Sequence, residues 1–341
     1  MTRQLASILV GDHLGQVKKV LLPSGEISIL PDLAEPTSSN PVVSIKQIGD
    51  GRKHLIANSD GQLYTYDPVH GETHKSDISG DDSLLAALPI SPVLESSIAL
   101  VYEKQVTLDA KSNVYIKQKK GQIVSGKIRH DNLAFVGKDI PLKVYNIQTK
   151  QLIFEAEAPE KDWLGIKPNC VVAAVDFVAQ TRLATCSKSD SVVRVYDSRG
   201  QTCKPIISID INQTAFNEHA EAGRFVSVAS TGDEDHKIVV GSNVGQLFAI
   251  DLRFDAKRIP KKRLQPKTYQ ILGGFKGARG ATIKDLAITS GGDEIDYKVI
   301  SCCLDRYLRI YNFSKSKRIL DKHVYMKTKP LCCSPVFYED N

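Results

Sequence analysis

Seven times along the chain an apolar run leads into a tight turn, and a second apolar run follows that ends in a Tyr-Asp-like pair. The clearest copies are residues 55–67, LIANSDGQLYTYD, and residues 238–251, IVVGSNVGQLFAID. A unit of this size cannot bury its apolar face alone, so it must stack on its neighbours. Spread over 341 residues, the units repeat every roughly 49 residues, the period of a propeller blade. Length alone would suggest about two domains, but the repeat replaces that expectation with one ring.

Aligned on the residue that opens the second run, the copies place Val17, Leu63, Val106, Leu142, Val193, Leu247 and Leu308 in one column. The turns before them are rich in Asp, Asn and Gly, as in Ser59-Asp60-Gly61 and Asn243-Val244-Gly245. These residues tolerate positive φ, and a short carboxylate or amide accepts a hydrogen bond from the backbone two residues on. Apolar runs on both sides make each unit a hairpin. The runs are β-branched and alternate only weakly, as strands packed on both faces do.

Each hairpin needs an inner partner strand. The candidates are residues 42–45, 84–88, 114–117 or 122–128, 171–177, 225–229 and 283–288. The first hairpin has no such strand before it, and the apolar run Leu331-Cys332-Cys333-Ser334-Pro335-Val336-Phe337 has no hairpin after it. The two ends are therefore expected to pair within one blade and close the ring, which leaves no long unpaired edge. The third unit is the weakest, because Val106-Thr107-Leu108-Asp109 lacks the aromatic. The sequence thus predicts an all-β, seven-bladed β-propeller filling residues 1–341 as a single domain, with a basic loop insertion at 254–267.

No stretch reaches the roughly 18 apolar residues of a membrane span, and no secretory signal is read at the start. The seven cysteines show no CxxC spacing. Most lie in apolar runs, where a thiol packs as a small hydrophobe, and a reducing compartment fits them. The adjacent pairs Cys302-Cys303 and Cys332-Cys333 are also weighed as metal ligands. Neighbouring strand residues point to opposite faces, so core packing is the reading adopted and no metal is expected. There is no GxSxG, HExxH or Walker A loop, and no catalytic set or cofactor site is assigned. The glycine-rich, basic stretch Gly273-Gly274-Phe275-Lys276-Gly277-Ala278-Arg279-Gly280 is read as a blade-to-blade connection, because no Lys-Ser/Thr follows into a helix.

Charge clustering is the better lead. Net charge is only +6, but Lys257, Arg258, Lys261, Lys262, Arg263 and Lys267 crowd into one Pro-stiffened stretch with hardly any acid among them. A second group is Lys315, Lys317, Arg318, Lys322, Lys327 and Lys329, and a third is Lys117, Lys119, Lys120, Lys127 and Arg129. Each can be a solvated loop. The first is also poised to meet phosphates. Aromatic residues do not interleave with these lysines, so such contacts would sense backbone and shape.

The endings Tyr66-Asp67, Tyr196-Asp197 and Ile250-Asp251, with the weaker Tyr145-Asn146 and Tyr311-Asn312, stand where WD-repeat proteins carry Trp-Asp. The fold is therefore expected to be WD40-like. The Gly-His dipeptide of strong WD repeats is absent. Longer stretches come in a more specific order: Pro141-Leu142-Lys143-Val144-Tyr145-Asn146, Asp162-Trp163-Leu164, Val193-Arg194-Val195-Tyr196-Asp197, Val240-Gly241-Ser242-Asn243-Val244-Gly245-Gln246-Leu247 with Ile250-Asp251-Leu252-Arg253, Gly274-Phe275-Lys276-Gly277, Cys303-Leu304-Asp305-Arg306-Tyr307-Leu308-Arg309-Ile310 and His323-Val324-Tyr325-Met326-Lys327.

In order and spacing the chain resembles the nucleolar WD-repeat family of large-ribosomal-subunit assembly, most closely over residues 133–337. The resemblance implies a non-catalytic scaffold of the nucleus and nucleolus. It would sit on pre-60S particles beside other large-subunit assembly factors and pre-rRNA, be released by an AAA-family ATPase, and be a monomer outside the particle. Members of that family carry a basic C-terminal tail suited to nuclear import, and this sequence ends at Glu339-Asp340-Asn341 without one.

On this reading the candidate contacts for partners and RNA are Lys261, Lys262, Arg263, Lys276 and Arg279. Trp163 is either an aromatic anchor or a packed linker residue. A second reading is a substrate receptor of a cullin-type ubiquitin ligase, since Tyr196-Asp197-Ser198-Arg199 and Ile250-Asp251-Leu252-Arg253 resemble the paired box of such receptors; capping of strand ends is the reading favoured for their arginines. A third, a propeller hydrolase, requires a convergent polar cluster at the channel.

Overall fold

The second strand of each repeat is buried almost throughout, which is why its sequence hardly alternates. Lys237–Ser242, for example, has no exposed position. The computed structural model describes the chain except for residues 1, 2, 31, 32, 34, 35, 49–51, 78–82, 91–97, 109–112, 158–169, 201, 212–222, 233, 234, 254–268, 278, 279, 291–296, 315, 340 and 341. Seven four-stranded antiparallel sheets form the seven blades of a β-propeller.

From the inside outward, blade 2 is Val42–Ile48, Lys53–Asn58, Gln62–Tyr66 and Thr73–Asp77. Blade 3 is Leu84–Pro89, Ile98–Tyr102, Gln105–Leu108 and Asn113–Lys117. Blade 4 is Gln122–Arg129, Asn132–Lys138, Lys143–Asn146 and Leu152–Glu155. Blade 5 is Val172–Phe177, Arg182–Ser187, Val192–Asp197 and Ile207–Asp210. Blade 6 is Phe225–Ser230, Lys237–Ser242, Leu247–Asp251 and Gln270–Gly274. Blade 7 is Ile283–Ser290, Tyr297–Cys303, Tyr307–Phe313 and Arg318–Tyr325.

Blade 1 is composite. Its inner strand is the C-terminal Pro330–Glu339, followed by the N-terminal Arg3–Asp12, Val17–Leu21 and Ile27–Ile29. The ends pair from Arg3 opposite Glu339 to Asp12 opposite Pro330, the closure expected from the sequence. Of the two candidates left open for the fourth inner strand, the segment beginning at Gln122 holds the place, and Asn113–Lys117 is the outer strand of blade 3.

The aligned column of seven residues, Val17 to Leu308, is buried in every blade, at 3% exposure or less. The turns before it place Gly15, Gly61, Ser191, Gly245 and Arg306 in the left-handed region. Glycine meets that demand without cost, and Ser191 and Arg306 show the geometry imposed on residues that do not favour it. The turn aspartates act as expected: Asp60, Asp190 and Asp305 each accept a hydrogen bond from the backbone N–H two residues on.

All seven inner strands carry one bulge at the same place. The extra residues are Val43, Leu85, Val124, Ala173, Val226 and Lys284, with Leu331 in the matching position of the closing strand. A bulge sharpens the local twist, which suits strands crowded round an axis. Close packing next to it excludes a side chain at Gly137, where a Cβ would lie 1.9 Å from the Gln122 carbonyl oxygen.

The apolar core lies between blades, one cluster at each of the seven interfaces among the described residues. Each fully buried Val, Leu, Ile or Phe there contributes roughly 1.5–3 kcal/mol. The paired cysteines split as strand geometry requires. Cys302 packs in the cluster between blades 7 and 1, and Cys303 in that between blades 6 and 7. Cys332 faces blade 2, while Cys333 faces blade 7. Burial pushes the Cys186 thiol up to about 12.

Blade 1 itself holds the segment that leads into the closing strand, and blade 2 holds the strand. Lys18, in the third strand of blade 1, donates to the Met326 carbonyl at 2.9 Å, contacts Thr328 and bridges Asp12 at 3.2 Å. In blade 2, Gln47 Nε2 donates to the Pro335 carbonyl at 2.6 Å, and His54 Nδ1 lies 3.2 Å from the Ser334 hydroxyl.

His54 is fully buried. Burial, with Lys19 adding, lowers its pKa from 6.5 to about 4. Between those values the unfolded chain binds a proton that the folded chain refuses, so stability falls as pH drops through that window. Urea titrations should show about 2 kcal/mol lost between about pH 7 and pH 5 from this group, and His54→Gln should flatten that slope. An unchanged slope in the variant would remove His54 from the acid response. Gly137→Ala should lower stability by roughly 2 kcal/mol, because the inner strand of blade 4 must shift to admit the methyl group; a unchanged urea midpoint would contradict the packing described.

Candidate nucleic-acid interface

The outer half of blade 7 collects residues that are scattered in sequence. Asp305 opens the turn before the third strand. It accepts from the Tyr307 N–H at 3.2 Å and takes two bonds from Arg309, Nη1 to Oδ1 at 3.1 Å and Nη2 to Oδ2 at 2.5 Å. The pair is half-sunk, with side chains 12% and 22% exposed for Arg309 and Asp305. Burial opposes the charge on Arg309, and the hydrogen bonds it donates to Asp305 help to outweigh that, so its pKa lies above the ordinary value. Fixed in this way, the guanidinium lies 5.2 Å from the centroid of the Tyr307 ring.

Strand register supplies the rest. Tyr307 stands opposite Tyr325, and Arg309 opposite His323. The Tyr307 ring is 5.2 Å from that of Tyr325 and 5.8 Å from that of His323. Arg306, exposed at its left-handed turn position, lies 6.0 Å from the Tyr325 ring. Tyr325 itself is 46% exposed. Three rings and two guanidinium groups therefore share one face. Exposed aromatic faces beside arginines suit stacking with unpaired bases, while the cations meet phosphate.

Blade 5 provides the internal comparison. Asp190 and Arg194 form the same turn-to-strand pair there, with Ser191 at the left-handed position. Opposite Arg194 stands Ser208, and among the described residues no ring lies against the guanidinium. The Asp–Arg pair is thus a device of the turn, and the aromatic platform is what blade 7 adds to it.

Lys276 is exposed in the segment that leads from blade 6 into blade 7. Its N–H donates to the Arg318 carbonyl at 2.9 Å and its carbonyl accepts from the Leu320 N–H at 3.2 Å, so the segment runs beside the outer strand of blade 7. The glycines of this stretch permit that approach. A Cβ on Gly280 would come within 2.4 Å of Asp305 Oδ2 and 3.3 Å of Arg309 Nη2. The stretch read as a connection begins in the outer strand of blade 6, with Gly273 and Gly274 paired to Ala249 and Phe248, and beyond it Lys276 is set along the strand that carries His323 and Tyr325.

The other anticipated contacts, Lys261, Lys262, Arg263, Arg279 and Trp163, lie outside the described residues, as does the insertion at 254–267. The second basic group is divided in use. Lys322 Nζ donates to the carbonyls of Leu22 and Pro23 and ties blade 7 to blade 1, whereas Lys327 and Lys329 remain exposed. The third group separates too, with Lys119 and Lys120 on an exposed turn and Lys127 beside Asp176 in the inner strands. Aromatic residues gather instead beside arginines that belong to none of the three basic groups: Tyr307, His323 and Tyr325 meet Arg306 and Arg309 through strand pairing. A search for alternating Tyr-x-Arg and His-x-Tyr on consecutive strands could have found them.

The Tyr-Asp pairs build turns. Asp67 accepts from Val69 N–H at 2.8 Å and its other oxygen lies 3.0 Å from His70 Nδ1. Arg199 bonds Asp197 through Nε and Nη2 at 3.2 and 3.0 Å, and Arg253 bridges Asp235 at 3.0 Å. Both arginines of the paired box are thus engaged at their own strand ends, as capping residues are.

No protein-family model matches the chain, and no curated protein sequence matches it. Among solved structures it is similar to the WD40 beta propeller domain of Doa1, with a TM-score of 0.62 and 12% identity over 97% of this chain and 89% of that one. The likeness shows the fold: a seven-bladed β-propeller of the WD40 kind. Matches to 1591 solved chains make that architecture too widely shared to specify a partner, so partner choice must come from the surface.

Asp305→Ala removes both the acceptor of the Tyr307 N–H and the partner of a half-sunk guanidinium. Chemical denaturation should show a loss of roughly 2 kcal/mol. A loss within about 0.5 kcal/mol would mean the pair behaves as an ordinary exposed salt bridge.

Proposed function

We propose that this protein is a non-catalytic scaffold in assembly of the large ribosomal subunit, docking assembly factors and pre-rRNA on pre-60S particles in the nucleolus. The observation that carries the reading is the platform of Tyr307, His323 and Tyr325 with Arg306 and Arg309 on blade 7. Its components suit an unpaired nucleotide: rings for the base and cations for the phosphate. The ordered stretches from Pro141 to Lys327 that resemble the nucleolar WD-repeat family support the same reading. Lys261, Lys262, Arg263 and Arg279 would extend the basic surface, Trp163 would serve as an anchor for a protein partner, and an AAA-family ATPase would release the monomeric scaffold from the particle.

Sucrose-gradient sedimentation tests this. Tyr325→Ala combined with Arg306→Ala should move most of the protein from large pre-ribosomal fractions to the top of the gradient, with the folded melting profile retained. Charge reversal at Lys261, Lys262 and Arg263 should weaken association and reduce its salt dependence. Full co-sedimentation of both variants would reject the platform and the loop as contacts. Absence of the unaltered protein from such particles would reject the assembly role itself.

A further inference from the structure

The seven inner strands enclose a channel of about 520 Å³. Their common bulge sets Val43, Leu85, Val124, Ala173, Val226 and Leu331 round one level, where Lys284 is the sole charged residue. Three residues further along, Lys46 of blade 2, Lys127 of blade 4 and Asp176 of blade 5 share a second level, opposite Leu55, Ala134 and Ala184 of their own second strands. The remaining blades place uncharged Leu88, Ala229, Ala287 and Ser334 there.

The two aspartates are largely committed to the ring. Asp176 accepts from the Ser230 N–H of blade 6 at 2.9 Å and from its neighbour Phe177 at 3.0 Å, with Lys127 3.9 Å away. Asp285 accepts from the Cys333 N–H of the closing strand at 3.1 Å and from Leu286 at 3.0 Å. Lys46 has no hydrogen bond or ion pair among the described residues. Repulsion from Lys127, then burial, lowers its pKa. Lys188 and Lys284 line the same space. Four lysines against two aspartates leave two positive charges in excess, inside a cavity of the size that holds small molecules.

We propose that this channel binds a compact phosphorylated anion, held at the level of Lys46 and Lys127 beneath the apolar collar. Asp176 already faces Lys127, so the two excess charges are shared among Lys46, Lys188 and Lys284 against Asp285. A single carboxylate would leave one of them, and a group with two or more negative charges would neutralise both. Ammonium groups act as point charges on phosphate and need no planar fork, and the lining holds lysines and no arginine among its described residues. The site is distinct from the platform on blade 7, so its failure would leave the assembly reading untouched.

Titration of the full chain with pyrophosphate, at ionic strength fixed with sodium chloride, tests the proposal. Calorimetry should show saturable binding, and the melting temperature should rise with pyrophosphate. Lys46→Gln should weaken binding by roughly tenfold or more, while melting no lower than the unaltered protein when pyrophosphate is absent. Lys119→Gln with Lys120→Gln, on an exposed turn, should bind as the unaltered protein does. No saturable binding, or equal affinity in Lys46→Gln, would overturn the proposal. So would binding of a tetraglutamate peptide in preference to pyrophosphate, which would make the channel a receptor for acidic protein segments.

Discussion

The antiparallel pairing of Arg3–Asp12 with Pro330–Glu339 is the contact on which the rest of the ring depends. Each apolar cluster lies between two blades, so a blade packs on both faces only if its neighbours are in place. Without the pairing, blade 1 would lose its inner strand, and the clusters it shares with blades 2 and 7 would open together. The entropic cost of joining strands so far apart grows only slowly with the length of chain between them. The kinetic consequence is larger, since non-local pairing slows folding. Lys18 and Asp12 make the junction still more demanding. With side chains 5% and 2% exposed, they are stable only together and with the Met326 carbonyl in reach.

Closure also decides the character of the interior. Seven inner strands with one shared bulge position surround a channel whose walls cannot relax separately. Asp176 and Asp285 join inner strands of adjacent blades through backbone N–H groups, so their charges contribute to the ring's rigidity. A cavity fixed in this way needs little reorganisation to receive a ligand, and preorganisation of that kind favours binding.

Much of this architecture was legible because its rules are local. A column of seven apolar residues after Asp-, Asn- and Gly-rich turns specified the hairpins, and an orphan strand at each end specified the closure. The split of Cys302-Cys303 between two interfaces followed from strand alternation. Less legible were features that depend on register. The left-handed turn position falls on Ser191 and Arg306, where composition gives no hint of it. The shift between Ile310 and Tyr311 breaks simple pairing, so sequence alone did not bring Tyr307 opposite Tyr325 or Arg309 opposite His323. Lys127 read as part of an exposed basic run, yet strand alternation turns it towards Asp176.

A formal charge count is therefore a poor guide to a binding surface, because the fold engages many of its cations. Arg199 and Arg253 are held at strand ends, Lys322 joins blade 7 to blade 1, and Lys18 is locked beneath the closure. Removing one of these would unsettle the ring before it altered any surface. Arg306 and Lys46 stand differently. Arg306 is held at a turn by backbone geometry and faces a half-exposed tyrosine, and Lys46 is held in a channel wall against another lysine. Neither side chain forms an ion pair among the described residues, although Asp285 attracts Lys46. Positions of that kind, held at a steric or electrostatic cost, are the ones at which an anion would gain most.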